Sequence, residues 1–192
     1  MLHRCLALLT ALAFAAGAVN AHRLPPRTVW GDVYAHVPNH LVTAGTALLV
    51  ATSLLVLGRR GTTTRARRAA VLAGGAWGLV SAVFVVDAVG GGIGDRTGQY
   101  AVHDAAVVLL PVTGLLLLAS TALLLVTPGG WAPWRLRLAA LGSVPGTLAL
   151  NEASSTPWLA LGLTAAAAWL LVAVAAVRPD GAVPAVREPV AA

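Results

Sequence analysis

The segment RRGTTTRARR, residues 59–68, separates two long apolar runs and indicates how the chain is oriented in a membrane. It carries five arginines, and it lies between an apolar run from Asn39 to Gly58 and a second from Ala69 to Val89. Each run has about the 20 residues that an α-helix needs to cross ~30 Å of hydrocarbon. A basic connector between two such runs predicts a pair of membrane-spanning helices joined at the cytoplasmic surface.

The composition of the whole chain agrees with a membrane protein. Of its 192 residues, 58% are hydrophobic and 10% are charged, and the mean hydropathy is +0.81. A soluble domain has about 25% charged residues. Here the charged residues are confined to short connectors, so the helices between them are left apolar and must face lipid. We therefore predict an all-α integral membrane protein, a small bundle of about five or six transmembrane helices.

Two further apolar runs, 105–127 and 157–177, predict two more spans. Two other segments are ambiguous. Residues 1–21 read either as a signal peptide or as a retained first helix, and we favour the helix. Residues 138–151 contain Pro145 followed by glycine, which predicts either a kinked span or a re-entrant piece.

The arginines predict the sidedness of the chain. All thirteen basic residues are arginine, and if residues 138–151 cross the membrane only Arg23, Arg27 and Arg96 lie outside the cell. The positive-inside rule favours this arrangement. We predict a multi-pass protein of a bacterial inner membrane, with the 59–68 loop and the C-terminus in the cytoplasm. It has six spans if the first helix is retained and five if it is cleaved.

The sequence predicts one transmembrane domain, residues 1–177, and a short tail. The tail, 178–192, has three prolines and little apolar bulk, so we expect it to be disordered on the cytoplasmic side. The bilayer is the first expected partner. Glycines four residues apart allow helices to approach closely, so Gly74/Gly78 or Gly142/Gly146 are candidate faces for a homo-oligomer.

Several classes of function are excluded by what the sequence lacks. The net charge of +6 has no base-reading element or aromatic stacking series beside it, so we exclude nucleic-acid binding. The single cysteine, Cys5, cannot form an intramolecular disulfide. There is no Walker lysine, HExxH or G-x-S-x-G sequence. The glycine-rich stretch 90–98 follows an apolar run without the strand of a dinucleotide fold, so we expect a flexible loop there.

Polar residues other than arginine gather near the ends of the runs that should face outside. In HVPNH, residues 36–40, proline disfavours helical geometry at the residue before it, so we expect His36 to precede the helix and His40 to begin it. Asp87 lies inside an apolar run, where a carboxylate needs a partner or water, and it is the strongest candidate. The full set is Asp32, His36, His40, Asp87, Asp95, His103, Asp104, Asn151 and Glu152.

These residue types suit two kinds of chemistry. Imidazole and carboxylate together favour a divalent transition metal, with His36, His40, His103 and Asp87 as the ligands. Haem held between His40 and His103 is a weaker alternative. Asp87 and His103 are equally candidates for acid–base catalysis, because histidine titrates near neutrality. The sequence thus predicts a binding or accessory membrane protein with an outward-facing His/Asp cluster. The alternative is a membrane-embedded enzyme acting on a lipidic or small hydrophobic substrate.

Overall fold

The structure, a computed structural model, describes residues 2–23, 33–59, 63–127, 134–151 and 156–175. In these ranges the regular structure is entirely helical, which confirms the all-α prediction. Five helices are long and apolar enough to cross a membrane, and the exception is the fifth in chain order. The helices are α1 (Leu2–Arg23), α2 (Val33–Gly58), α3 (Thr64–Thr97), α4 (Ala101–Val126), α5 (Trp134–Asn151) and α6 (Thr156–Ala175).

The helices α2, α3 and α4 pack side by side in alternating directions. The Ser81 hydroxyl of α3 donates a hydrogen bond of 2.8 Å to the carbonyl of Ala44 on α2. Earlier on α3, Gly74 lies against Leu55, later on α2, so the two helices are antiparallel. The connection from α3 to α4 is only residues 98–100, and α4 therefore returns along α3.

The helices α1, α5 and α6 form the other side of the bundle. Gly146 of α5 lies against the Phe14 ring of α1, and Trp169 of α6 donates a 2.8 Å hydrogen bond to the Ser143 hydroxyl of α5. The helices α5 and α6 are antiparallel. One end of the bundle thus collects the helix ends at Arg23, Val33, Thr97, Ala101, Asn151 and Thr156, and we call it the polar end.

The described arginines are concentrated at the opposite end. Among the residues that the structure describes, only Arg23 and Arg96 lie at the polar end. The others lie at or beside the remaining helix ends and are Arg4, Arg59, Arg65, Arg67, Arg68, Arg135 and Arg137. This segregation is the one that the sequence predicted. Which end faces the cytoplasm stays a prediction from the positive-inside rule.

The interior and the surface of the bundle divide the apolar residues in the way a bilayer requires. Trp77, Trp169 and Phe14 are fully buried between helices. Large apolar side chains also cover the outside, for example Val108 and Leu115 of α4. In water such a surface would drive aggregation, but it matches hydrocarbon. The protein is therefore a small multi-pass membrane protein with lipid-facing helices.

Two predicted boundaries at the polar end are wrong. The helix α2 begins at Val33, so His36 lies within it and Pro38 is inside the helix. A proline near a helix start removes one backbone hydrogen bond, a loss that membrane helices tolerate. The expected loop at 90–98 is instead the last turns of α3, which continues to Thr97. Asp87 is consequently ten residues from the end of its helix instead of close to it.

Close packing explains why the glycine-rich stretch is helical. Gly90 of α3 faces the backbone of His103, and Gly94 faces the ring of Tyr100. Each glycine costs a helix about 1 kcal/mol, but it allows a contact that a side chain would block. The helix ends at Gly98, whose φ of 71° is the left-handed geometry that glycine adopts readily, and the Gly98 N–H donates to the Gly94 carbonyl.

The glycine pairs proposed for self-association are partly used within the chain. Gly74 lies against Leu55, and Gly146 lies against Ala165 of α6. By contrast, a methyl group at Gly78 would meet nothing within 4 Å. Because Gly74 and Gly146 are occupied by neighbouring helices, any second copy would have to use other positions. Association with a second copy stays a prediction.

The segment 138–151 lies within α5, which is helical through Pro145. It runs along α1 and α6, and Leu150 of α5 lies against Gly17 of α1. The helix carries Arg135 and Arg137 in its first turn. These charges make it less hydrophobic than the five candidate membrane spans. That it crosses the membrane stays a prediction. The predicted tail, 178–192, lies outside the described residues.

The first helix contributes to the interior of the bundle, which makes its packing testable. Thr10 of α1 and Ser53 of α2 share a buried hydrogen bond of 3.1 Å. We expect a double-mutant cycle of Thr10→Ala and Ser53→Ala to give a coupling of about 0.6 kcal/mol, the average for hydrogen bonds between membrane helices. Unfolding in mixed micelles measures it. Thr52→Ala, at an exposed hydroxyl of α2, should show no coupling with Thr10→Ala.

Candidate functional site

Three ionisable side chains from three helices meet at the polar end of the bundle. The Nδ1 atom of His40 on α2 lies 2.7 Å from Oδ2 of Asp87 on α3. The Nδ1 atom of His103 on α4 lies 2.5 Å from Oδ1 of the same carboxylate. We call these residues the His–Asp–His cluster. Each oxygen of one carboxylate therefore contacts a different imidazole.

The cluster is buried to different depths on its two sides. The Asp87 side chain is 1% exposed and that of His40 is 10% exposed. The His103 side chain is 27% exposed, so it is the member most open to the surroundings. A carboxylate that is almost fully buried needs compensating donors, and the two imidazoles provide them.

Local packing explains how α4 brings His103 so close to α3. A methyl group at Gly90 would lie 2.5 Å from the backbone nitrogen of His103 and 2.9 Å from its Cα. Any residue larger than glycine would therefore push the start of α4 away. The position of Gly90 is three residues after Asp87, on nearly the same face of α3. The absence of a side chain there allows the imidazole to reach the carboxylate.

The hydrogen-bonding capacity of these groups defines the tautomers. An ionised carboxylate only accepts hydrogen bonds, so we infer that Nδ1–H of both His40 and His103 donates to Asp87. In a neutral imidazole that donates through Nδ1, the other nitrogen, Nε2, is the basic atom. Uptake of one proton at either Nε2 takes the cluster from singly negative to neutral.

Aromatic rings line the cluster on both sides. The Phe84 ring of α3 meets His40 edge-on, with ring centroids 5.1 Å apart. On the other side, the Tyr100 ring meets His103 edge-on at 6.2 Å. The Tyr100 hydroxyl donates a 3.1 Å hydrogen bond to Oδ1 of Asp95. The His40 ring thus packs against an aromatic side chain, whereas the His103 ring lies beside a phenol that is hydrogen-bonded to Asp95.

The structure brings together some of the predicted site residues and separates others. His40, Asp87 and His103 form the cluster, whereas Asp104 is exposed in the first turn of α4 and takes no part in it. Asp95 is linked to the cluster only through its hydrogen bond with Tyr100. The sequence did not indicate a role for Tyr100, because no sequence pattern pairs two residues five positions apart across a helix end. The remaining candidates fall outside the described side chains and are Asp32, His36, Asn151 and Glu152.

Among the described residues, the structure gives no support for a bound metal. Both Asp87 oxygens are occupied by Nδ1 atoms, and among the described residues no group of three or more His, Cys, Asp or Glu could hold a metal ion. Zinc sites in proteins use about three or four protein ligands. Haem needs space between two facing imidazoles, but here both rings converge on one carboxylate. A ligand set that includes His36 stays a prediction.

Comparison with known proteins adds no assignment. No protein-family model, curated protein or solved structure matches the chain. Helical bundles host many unrelated activities, so the architecture by itself does not name one. A function must therefore be inferred from the chemistry of the His–Asp–His cluster.

Proposed function

We propose that this membrane protein is built around an acid–base centre, the His–Asp–His cluster, which binds and releases protons at one end of the bundle. The observation that supports it best is the nearly fully buried Asp87 carboxylate with one imidazole on each oxygen. Such an arrangement orients both rings, with Nε2 as the proton-accepting atom of each. Orientation of an imidazole through Nδ1 by a carboxylate is a recurring feature of acid–base sites.

Each member of the cluster has a distinct role in this proposal. His103, the more exposed imidazole, exchanges protons with water or with a bound ligand. Asp87 holds both rings in the Nδ1–H tautomer and stabilises an imidazolium when one forms. His40, enclosed by Phe84, provides a second proton-binding position away from the surface. With the arginine-rich end in the cytoplasm, the cluster faces outside the cell.

Nitrogen-15 NMR of histidine-labelled protein in lipid nanodiscs tests the proposal, because Nδ1 and Nε2 shifts report the tautomer. In the wild type we expect His40 and His103 both to be Nδ1–H tautomers. In Asp87→Asn the amide oxygen can accept from one ring only, while the amide N–H₂ can only donate. One imidazole should therefore switch to the Nε2–H tautomer. His22→Ala identifies the signal of an exposed histidine as a control.

The NMR comparison and a zinc-binding measurement together separate the acid–base proposal from the predicted metal site. Wild-type rings that are both Nε2–H, or tautomers that do not change in Asp87→Asn, would contradict the proposed roles. Stoichiometric zinc binding that is lost in both His40→Ala and His103→Ala would instead support the predicted metal site.

A catalytic function is the second candidate, and the position of His103 favours it. This imidazole lies in the first turn of α4, beside the exposed apolar residues Val102 and Val107. A lipidic or small hydrophobic substrate could reach it from the bilayer surface. Mass spectrometry of lipid extracts incubated with wild type or with His103→Ala tests this. A species consumed only by the wild type would support an enzyme, and identical extracts would count against one.

A further inference from the structure

We propose that Tyr100 is a positioning residue that covers His103 and, held by Asp95, controls the access of water and ligands to the His–Asp–His cluster. This inference rests on the proposed function, because it concerns the exposed imidazole of the same site. It assigns a role to the short connection between α3 and α4, residues 98–100, which we call the covering turn.

Tyr100 contacts both His103 and the end of α3. Its ring stands nearly perpendicular to the imidazole, at an interplanar angle of 75° and a centroid distance of 6.2 Å. Its hydroxyl reaches back to Oδ1 of Asp95 on α3. The side chain is thus attached at both ends, by a ring contact to α4 and by a hydrogen bond to α3.

The end of α3 is shaped to receive this ring. Gly94 faces the Tyr100 ring so closely that a methyl group there would collide with it. The turn that brings Tyr100 back over α3 depends on Gly98, with its φ of 71°. Tyr100 is nevertheless 39% exposed, so it shields His103 only in part. A single side chain that a single hydrogen bond holds in place can open without unfolding the bundle.

The Tyr100 hydroxyl also interacts electrostatically with Asp95. The hydrogen bond to Asp95 raises the pKa of the Tyr100 hydroxyl, because ionisation would bring two negative charges together. Besides Asp95, the structure shows Asp87 in contact with His103, with His40 on the same carboxylate, and Asp104 follows His103 in the chain. Asp95 is the group to which the phenol donates its hydrogen bond.

Chemical modification of His103 in nanodiscs tests the cover directly. Diethyl pyrocarbonate acylates neutral imidazoles that it can reach, and peptide mass spectrometry assigns the rate to each histidine. Tyr100→Phe removes the hydrogen bond to the Asp95 carboxylate but keeps the ring, so we expect it to raise the His103 rate about fivefold. Tyr100→Ala, which also removes the ring, should raise it further. Gln99→Ala in the same turn is the matched control, and His22 reports any general change in reactivity.

A rate at His103 that is the same in wild type, Tyr100→Phe and Tyr100→Ala would overturn the inference. Tyr100→Phe keeps the ring and its packing, so it remains informative if the alanine variant fails to fold. The outcome is separable from that of the proposed function. Tautomers in the wild type test the acid–base roles, whereas this comparison tests only whether Tyr100 limits access.

A second measurement examines the attachment to Asp95. The chain has two tyrosines, so in a Tyr34→Phe background the absorbance change at phenol ionisation belongs to Tyr100 alone. We expect Asp95→Asn to lower the pKa of this phenol and to raise the His103 modification rate, as Tyr100→Phe does. A phenol whose ionisation is unchanged in Asp95→Asn would contradict the attachment.

Discussion

Replacing His40 and His103 together with alanine is expected to lower the free energy of unfolding by about 3–5 kcal/mol, because it leaves the Asp87 charge buried without a partner. Each single substitution should cost much less, since the carboxylate then keeps one imidazole donor. The loss in the double variant should therefore exceed the sum of the two single losses. Unfolding of the protein in mixed micelles, followed by tryptophan fluorescence, measures all three variants.

A rescue variant distinguishes the buried charge from simple loss of packing. Adding Asp87→Leu to the double alanine variant removes the unpaired carboxylate, and we expect it to recover most of the lost stability. Replacement of buried ionic groups by apolar ones of similar size is often neutral or stabilising. If the two single losses were additive, and Asp87→Leu lowered stability further, the structure of the cluster described above would be incorrect.

Gly90→Ala is expected to destabilise the bundle by about 1–3 kcal/mol, because the new methyl group must displace the start of α4. The atoms it would meet are the backbone nitrogen and Cα of His103, at 2.5 and 2.9 Å, and backbone cannot rotate away as a side chain can. The shift should also separate His103 from Asp87. We therefore expect the nitrogen-15 signal of His103 to lose its Nδ1–H character while His40 keeps it.

The matched control for this substitution lies earlier on the same helix. At Gly75 and at Gly78 a methyl group would meet nothing within 4 Å. Alanine is the better helix former by about 1 kcal/mol, so Gly75→Ala and Gly78→Ala should be neutral or stabilising. If Gly90→Ala behaved like these controls, α4 would not approach α3 as closely as the structure has it.

Hydropathy and charge along the chain were enough to predict the helical class, four clear spans and the gathering of arginine at one end. These properties are local, because the length and polarity of a segment decide whether it can cross hydrocarbon. The same reasoning placed His40, Asp87 and His103 at a common end. It could not say that they touch, because contact depends on the rotation of three helices about their axes.

The ends of α2 and α3 show where local reasoning is insufficient. Proline at residue 38 predicted that α2 begins after His36, and the glycines at 90–98 predicted a loop, but α2 begins at Val33 and α3 continues to Thr97. At Gly90 and Gly94 the reason is a partner distant in sequence, since α4 packs where side chains would otherwise stand. The benefit of that packing is absent from any window of the sequence that contains the glycines alone.

Membrane class, helix lengths and the segregation of charge thus follow from the order of residues, since each reflects the transfer of a single segment into lipid. Tertiary structure alone decided that one carboxylate contacts two imidazoles and that Tyr100 covers one of them. Those contacts join α2, α3 and α4, and their geometry depends on how closely the three backbones approach. Glycine at position 90 permits that approach, but only the assembled bundle shows that α4 is the helix that packs against it.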